Sequence, residues 1–248
     1  MGHSWIVLMI QRRSGGTIPR LGRLWMNVTI KKAIKEGLTF IHHPVLTIRF
    51  HKNGCRRFVL KGRGSVNSCK NLYIGENTEI GYDFRFLLIE KYHGGRYSPS
   101  CVIGKNCSIG NRFSVLTADK VVIKESNLIA SDVLIAAENH GTDPEKADSY
   151  ASIKLTSRPV TIEEGCWIGE KVIVLPEVNI GKGSIIGAGS VVTKSIPEYS
   201  IAVGNPARVI KQWDENCKQW CPPQKIDKVF RRLHYAKLSK YFHYTYIY

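Results

Sequence analysis

Residues 162–192 read IEEGCWIGEKVIVLPEVNIGKGSIIGAGSVV, with an aliphatic residue at every sixth place: Ile162, Ile168, Val174, Ile180, Ile186 and Val192. The same step recurs upstream in three shorter runs. These are Ile74, Ile80 and Phe86; Ile103, Ile109, Val115 and Val121; and Ile123, Ile129 and Ile135. Glycine or alanine follows many of these anchors directly, as at Gly75, Gly104, Ala130, Gly169 and Gly187. Four residues after the anchor comes a second, mostly small residue: Thr78, Cys107, Val133, Cys166, Val172, Val178, Ser184 or Ser190. A helix repeats about every 3.6 residues and a strand every 2, so this period fits neither alone. It fits an all-β solenoid with one short strand and one turn per hexad, three hexads closing a triangular coil of about 18 residues. In this reading the anchor fills a corner, and the small residue after it eases the tight turn.

The phase breaks at three places. Between Phe86 and Ile103 a loop holds Lys91, Tyr92, His93, Gly94, Gly95 and Arg96. Between Val121 and Ile123 the register slips by two. Between Ile135 and Ile162 lies a long insertion, AENHGTDPEKADSYASIKLTSRP, which is polar and carries Pro144 and Pro159. Long loops on rigid scaffolds serve function more often than structure. The chain of 248 residues therefore divides into a basic arm with a helix and first strands (1–73), a solenoid (74–210) with an inserted loop (136–161), and a basic, aromatic, helical tail (211–248).

The net charge of +16 belongs to the ends. Residues 1–73 hold fourteen Lys/Arg against the single acid Glu36, residues 222–248 hold six against Asp227, and the solenoid is close to neutral. Residues 20–38 and 225–240 show apolar residues at helical spacing ringed by lysine and arginine. Two readings stand for these arms: helices that cap the coil ends, or contacts with an anionic membrane or acidic glycan. No nucleic-acid motif accompanies the charge, so nucleic acid is not expected as a partner. Residues 45–50 and 57–60 read as strands joined by an Asn53-Gly54 turn. No run is long and apolar enough to span a bilayer, and residues 5–10 lack the flanks of a signal peptide. The seven cysteines form no framework, and Cys107 and Cys166 fall on the small inward slot as packed free thiols. Cys217 and Cys221 have no neighbouring pair of metal ligands. A cytoplasmic location is expected, peripheral at the inner face of the membrane where the basic arms contact it.

Residues 166–210, CWIGEKVIVLPEVNIGKGSIIGAGSVVTKSIPEYSIAVGNPARVI, resemble the terminal coils of hexapeptide-repeat acyltransferases. Within that superfamily they look most like galactoside, maltose and nodulation-type O-acetyltransferases and the surface-polysaccharide O-acetyltransferases. The specific parts are WIG at 167–169, IGAGSVVTK at 186–194, GNPAR at 204–208 and NHG at 139–141. The resemblance implies a left-handed parallel β-helix and a homotrimer, with acetyl-CoA as acyl donor in the groove between two subunits and no metal. It places the general base on His140, at the mouth of the long loop. It gives acceptor binding to Asn139, Asn111 and Arg112, and donor binding to Trp167, Gly187, Ala188, Thr193, Lys194 and Arg208; His93 joins the acceptor candidates by its own position in the other loop. Two departures stand out: the family's Pro-Gly is Pro176-Glu177 here, and the small hydroxyl after WIG is Glu170.

A sugar hydroxyl is a poor nucleophile at neutral pH, and a positioned imidazole removes its proton as it attacks a thioester. The function expected is therefore acetyl-CoA-dependent O-acetylation of a sugar hydroxyl, on a surface polysaccharide or its lipid-linked precursor. The alternatives are an acetyltransferase for a small soluble acceptor (antibiotic, free sugar or serine) and a non-catalytic solenoid subunit. A carbonic anhydrase of the same fold needs three zinc histidines, and the solenoid proper supplies only His140.

Overall fold

The computed structural model describes Gly37 and residues 44–145 and 149–223. After helix α1 (Pro44–Lys52) the chain visits three sheets in rotation. The first circuit is β1 (Val59–Leu60), β2 (Gly64–Val66) and β3 (Leu72–Ile74). The second is β4 (Glu79–Ile80), β5 (Phe84–Leu88), a hairpin of β6 (Lys91–Tyr92) and β7 (Gly95–Arg96), then β8 (Ser100–Ile103). The third is β9 (Ser108–Ile109), β10 (Ser114–Thr117) and β11 (Lys120–Ile123). The fourth is β12 (Leu128–Ile129), β13 (Leu134–His140), an insertion carrying β14 (Leu155–Ser157), and β15 (Val160–Ile162). Then follow β16 (Trp167–Ile168), β17 (Ile173–Val174), β18 (Asn179–Ile180), β19 (Ile185–Ile186), β20 (Val191–Val192) and β21 (Ser200–Val203). Two antiparallel strands, β22 (Arg208–Asp214) and β23 (Gln219–Cys221), extend the first sheet.

The first sheet runs β1-β4-β9-β12-β16-β19-β21, the second β2-β5-β10-β13-β17-β20 and the third β18-β15-β11-β8-β3. Pairing between circuits is parallel throughout, and the anchors lie in register: Ile168 faces Ile129 and Ile186, and Ile162 faces Ile123 and Ile180. Parallel pairing already begins at Val59, opposite Glu79.

Every anchor of the repeat from Ile74 to Val192 is buried, and so are the small residues Thr78, Cys107, Val133, Cys166, Val172, Val178, Ser184 and Ser190 four places after an anchor. That second slot tolerates hydroxyls because each one bridges successive circuits. Thr78 donates to the Gly104 carbonyl (2.7 Å) and accepts from the Cys107 N–H (3.1 Å). Ser184 donates to the Pro197 carbonyl (2.8 Å) and accepts from the Ser200 N–H (3.2 Å). Cys107 and Cys166 fill the same slot as free thiols. Burial pushes the Cys166 thiol up to about 11 and that of Cys101 up to about 12, so neither forms a thiolate near neutral pH.

The structure corrects four details, one of them beyond the coil: residues 211–221, expected within the helical tail, run through β22 and β23. The left-handed turn residue is not the one after the anchor but the third: Asn77, Asp83, Asn106, Asp132, Lys171 and Gly183 all have positive φ. The residue directly after the anchor is small for another reason. A Cβ on Gly104 would stand 2.7 Å from the backbone of Lys124 and Glu125 in the next circuit. The slip between Val121 and Ile123 is no break, because both sit on β11 and both are fully buried. A four-residue strand simply turns two side chains inward. Residues 45–50 form α1 rather than a strand. Leu46, Thr47 and Phe50 share one helical face against the core, with Phe50 edge-on to Phe58 at 5.4 Å. Gly54 (φ 84°) closes α1 in a Schellman turn, Cys55 N–H to Phe50 O (3.0 Å) and Gly54 N–H to His51 O (3.0 Å), so Asn53-Gly54 is a helix stop and not a hairpin. The basic segments 20–38 and 225–240 lie outside the described residues.

Ile180 and Asn179 are neighbours on β18 that face opposite ways. Ile180→Ala should lower stability by about 2–5 kcal/mol, whereas Asn179→Ala should stay within about 0.5 kcal/mol. Urea unfolding followed by circular dichroism reads both, and equal losses would contradict the inward assignment.

Candidate active site

Two of the register breaks open at one corner. β5, β10 and β13 are neighbours in the second sheet, with Leu88, Thr117 and Ala137 in one row. The hairpin β6–β7 leaves the coil after β5, and the insertion leaves it after β13. They meet above the shorter circuit between them. Tyr92 donates to the Ala151 carbonyl at 2.6 Å. Tyr97 donates to the Leu155 carbonyl at 3.2 Å and accepts from the Leu155 N–H at 2.8 Å.

His140 ends β13 at this junction, exposed and paired in register with Leu155 of β14. The Tyr92 ring lies edge-on to its imidazole with centroids 5.3 Å apart, and edge-on to His93 at 4.6 Å. The loop therefore brings His93 and His140 into one aromatic cluster with Tyr92 between them. Gly141 lets the insertion close down here, since a Cβ would stand 2.2 Å from Ile153 Cγ2. Asn139 precedes His140 on the same strand, so its side chain leaves from the opposite face; its carbonyl accepts from Thr156 Oγ1 at 3.4 Å. An open imidazole beside a rigid ring, at the lip of a loop, can take a proton from a group presented from solvent.

Asn111 and Arg112 are not part of this cluster within one chain. They occupy the turn before β10, while His140 extends the far end of the second sheet. Asn111 Oδ1 accepts from the Tyr82 N–H at 3.1 Å. Arg112 grips Asp132 with two bonds of 2.5 and 2.7 Å and holds that carboxyl below its usual range.

The residues expected at the donor lie on other faces. Trp167 stands outward on the first sheet, 51% exposed, between Leu128 and Ile185 in register. Gly187 and Ala188 form the corner between the first and second sheets. Exposed Thr193 and Lys194 follow β20, two strands along from β13 in the second sheet. The turn at residues 204–208 holds a cis Asn205-Pro206 bond and folds back onto β20, with Ala207 N–H to Val191 O at 2.8 Å. It leaves Arg208 exposed at the start of β22. Glu177 adopts φ 69°, the left-handed region that a glycine enters freely.

Tyr92 and Tyr97 are the residues the sequence reading did not single out. Their signal was available, because Phe86, Val115 and Ile135 share one column of the repeat and two of the three precede a break.

The family described as bacterial transferase hexapeptide (six repeats) matches residues 159–194. Over 205 residues, 77% of this chain and 97% of that protein, the chain is 32% identical to WbbJ of Escherichia coli K12, named for O-acetyl transfer in lipopolysaccharide biosynthesis. It is 34% identical to the galactoside O-acetyltransferase of the same organism over 124 residues, half of this chain and 60% of that protein. Among solved structures, the fold matches AntD, an N-acyltransferase from Bacillus cereus, with a TM-score of 0.53 and 20% identity over 75% of this chain and 96% of that one.

The tyrosine clasp is testable by itself. Replacing Tyr92 and Tyr97 together by Phe keeps both rings and removes the hydroxyls, each bond being worth about 0.5–1.5 kcal/mol. Trypsin cleavage at Lys154 should become several-fold faster with little change in melting temperature. Unchanged cleavage would mean that the hydroxyls do not hold the insertion.

Proposed function

The chain belongs to the hexapeptide-repeat acyltransferases, and from that premise we propose that it transfers an acetyl group from acetyl-CoA to a sugar hydroxyl, on a surface polysaccharide or its lipid-linked precursor. The observation that carries this reading is the position of His140. Among the described residues it is the only histidine on a strand of the coil, and it stands where two loops build a wall beside it.

In this reading the coil is left-handed and three chains assemble around a threefold axis. One chain carries Trp167 on its first sheet and His140 at the end of its second, so the two stand on different faces of the coil. A neighbouring subunit would close that gap, and the donor would lie between the two. Trp167 would flank its pantetheine arm, which passes close to the backbone at Gly187 and Ala188. Thr193, Lys194 and Arg208 would meet its phosphates, where cationic side chains add charge to hydrogen bonding. Glu177 keeps the turn that glycine serves in relatives, at a cost of about 1–2 kcal/mol.

His140 takes the proton of the acceptor hydroxyl as the oxygen attacks the thioester carbon. The tetrahedral species collapses with loss of the carbon–sulfur bond, and the imidazolium returns its proton to the departing thiolate. No covalent enzyme intermediate forms. His93, Asn139, Asn111 and Arg112 remain the acceptor-binding candidates. Only His93 shares the cluster of His140 in one chain, so the turn of Asn111 and Arg112 would act from a neighbouring subunit or on a distant part of the acceptor. The basic ends of the chain favour an acceptor held at an anionic surface.

Thiol release from acetyl-CoA, screened against a glycan panel, tests the reading. His140→Ala should lower turnover by about 10²–10⁴ with donor binding retained. Trp167→Ala and Arg208→Ala should mainly raise the donor KM. Turnover at the wild-type level in the His140 variant would remove it from the mechanism.

A further inference from the structure

A second feature adjoins the His140 corner. α1 and the turn between β2 and β3 enclose a cleft of about 320 Å³ lined by Arg49, Lys52, Lys70, Asn53, Ser68 and Cys69, together with Asn67. Its lining has three cations and no acid. None of the three makes an ion pair with a described residue, although lysines elsewhere in the coil are paired, such as Lys61 with Glu79 and Lys182 with Glu164. The charge is felt inside the cleft, where Arg49 opposes the rise that burial imposes on the Cys69 thiol.

The cleft does not end there. Asn67 and Ser68 also line a longer trough of about 580 Å³ that continues along Leu87, Leu88, Ile89, Glu90 and Lys91 to Tyr92. Asn67 fixes the junction by clipping onto the Leu88 backbone in both directions, donating to its carbonyl (2.8 Å) and accepting from its N–H (2.9 Å). Cleft and trough together thus run from three cations that pair with no described residue to the ring that packs on His140.

We propose that the acceptor is a phosphate-linked glycan whose phosphate or diphosphate group lodges between Arg49, Lys52 and Lys70 while a sugar hydroxyl reaches His140. The assignment of the reacting end rests on the proposed function. Guanidinium and ammonium groups bind phosphate oxygens by charge and hydrogen bonding together. The distance selects the ligand. β2 and β13 are three strand spacings apart in the second sheet, about 14 Å at about 4.8 Å each. A free monosaccharide does not bridge that interval, whereas sugar units linked to a phosphate do. The trough lining is mixed, with Leu87 and Ile89 beside Glu90 and Lys91, as suits sugar rings that offer both apolar faces and hydroxyls.

Inorganic pyrophosphate is the probe, titrated calorimetrically into the full-length chain. Wild type should bind it, and the triple variant Arg49→Gln, Lys52→Gln, Lys70→Gln should weaken binding at least about tenfold. Lys70→Gln alone, outside the helix, should give a smaller loss in the same direction. A control with Lys105, Lys171 and Lys218 changed to Gln should bind as wild type. Saturating coenzyme A should not displace the pyrophosphate, and His140→Ala should leave its affinity unchanged. No wild-type binding, an equal loss in the control, or displacement by coenzyme A would overturn the proposal. Full activity in His140→Ala with pyrophosphate binding intact would instead refute the catalytic reading alone. Capture on phosphatidylcholine vesicles with and without phosphatidic acid separates the source. Capture that needs the three cations assigns the phosphate to a lipid carrier, and pyrophosphate binding without capture assigns it to a soluble one.

Discussion

Each circuit of this chain hands its backbone N–H groups to the next one. Gly104 donates to Ile123 at 2.7 Å, Ala130 to Ile168 at 2.9 Å and Gly169 to Ile186 at 2.8 Å. These bonds fix the separation of the circuits at one strand spacing, and the rest of the structure follows from that closeness. The anchors must repeat in register, because a shift of one residue would turn them outward. After the first-sheet anchors the next residue is small, at Gly81, Gly110, Ala130, Gly169 and Gly187, and at Gly110 and Gly169 the next backbone lies where a side chain would be. The second inward slot is mostly small or carries a hydroxyl that bridges two circuits, with Phe84 and Phe113 filling it where the coil has room for a ring.

Extra residues can leave such a coil only at its corners. Both long departures use the corner after the second sheet, two circuits apart with one shorter circuit between them, and they clasp each other through Tyr92 and Tyr97. The scaffold holds the base of each loop by strand pairing, and the tyrosine bonds join one loop to the other. His140 gains its setting from this arrangement. It is the last residue of a strand whose first four residues are locked in the sheet, so its backbone is rigid while its imidazole is open.

Much of this was legible in the sequence because the repeat encodes register directly. The anchors, the inward thiols and the two loop exits follow from counting by six. Three things escaped that count. The two-residue slip at Val121 was misread because period six presumes equal strands, and β11 is long enough to turn two residues inward. Residues 45–50 alternate in a way that suits a strand, but Pro44 ahead of them and Gly54 behind are helix punctuation, and the end of the coil offers a face for Leu46, Thr47 and Phe50 to cover. Finally, hexad phase says which corner a loop leaves but not how far it leans. The packing of Tyr92 on His140, and the separation of both from Asn111 and Arg112, depend on side-chain reach across circuits, which a one-dimensional pattern does not carry.

The central claim is that the corner joining the hairpin and the insertion is where the acyl group changes hands. A crystal structure of the full chain with coenzyme A tests it most directly. The account predicts a trimer in which the coenzyme thiol of one interface points at a His140 imidazole, close enough for a single acceptor oxygen to fit between them. A thiol resting at another corner of the coil, with His140 facing only solvent, would contradict it.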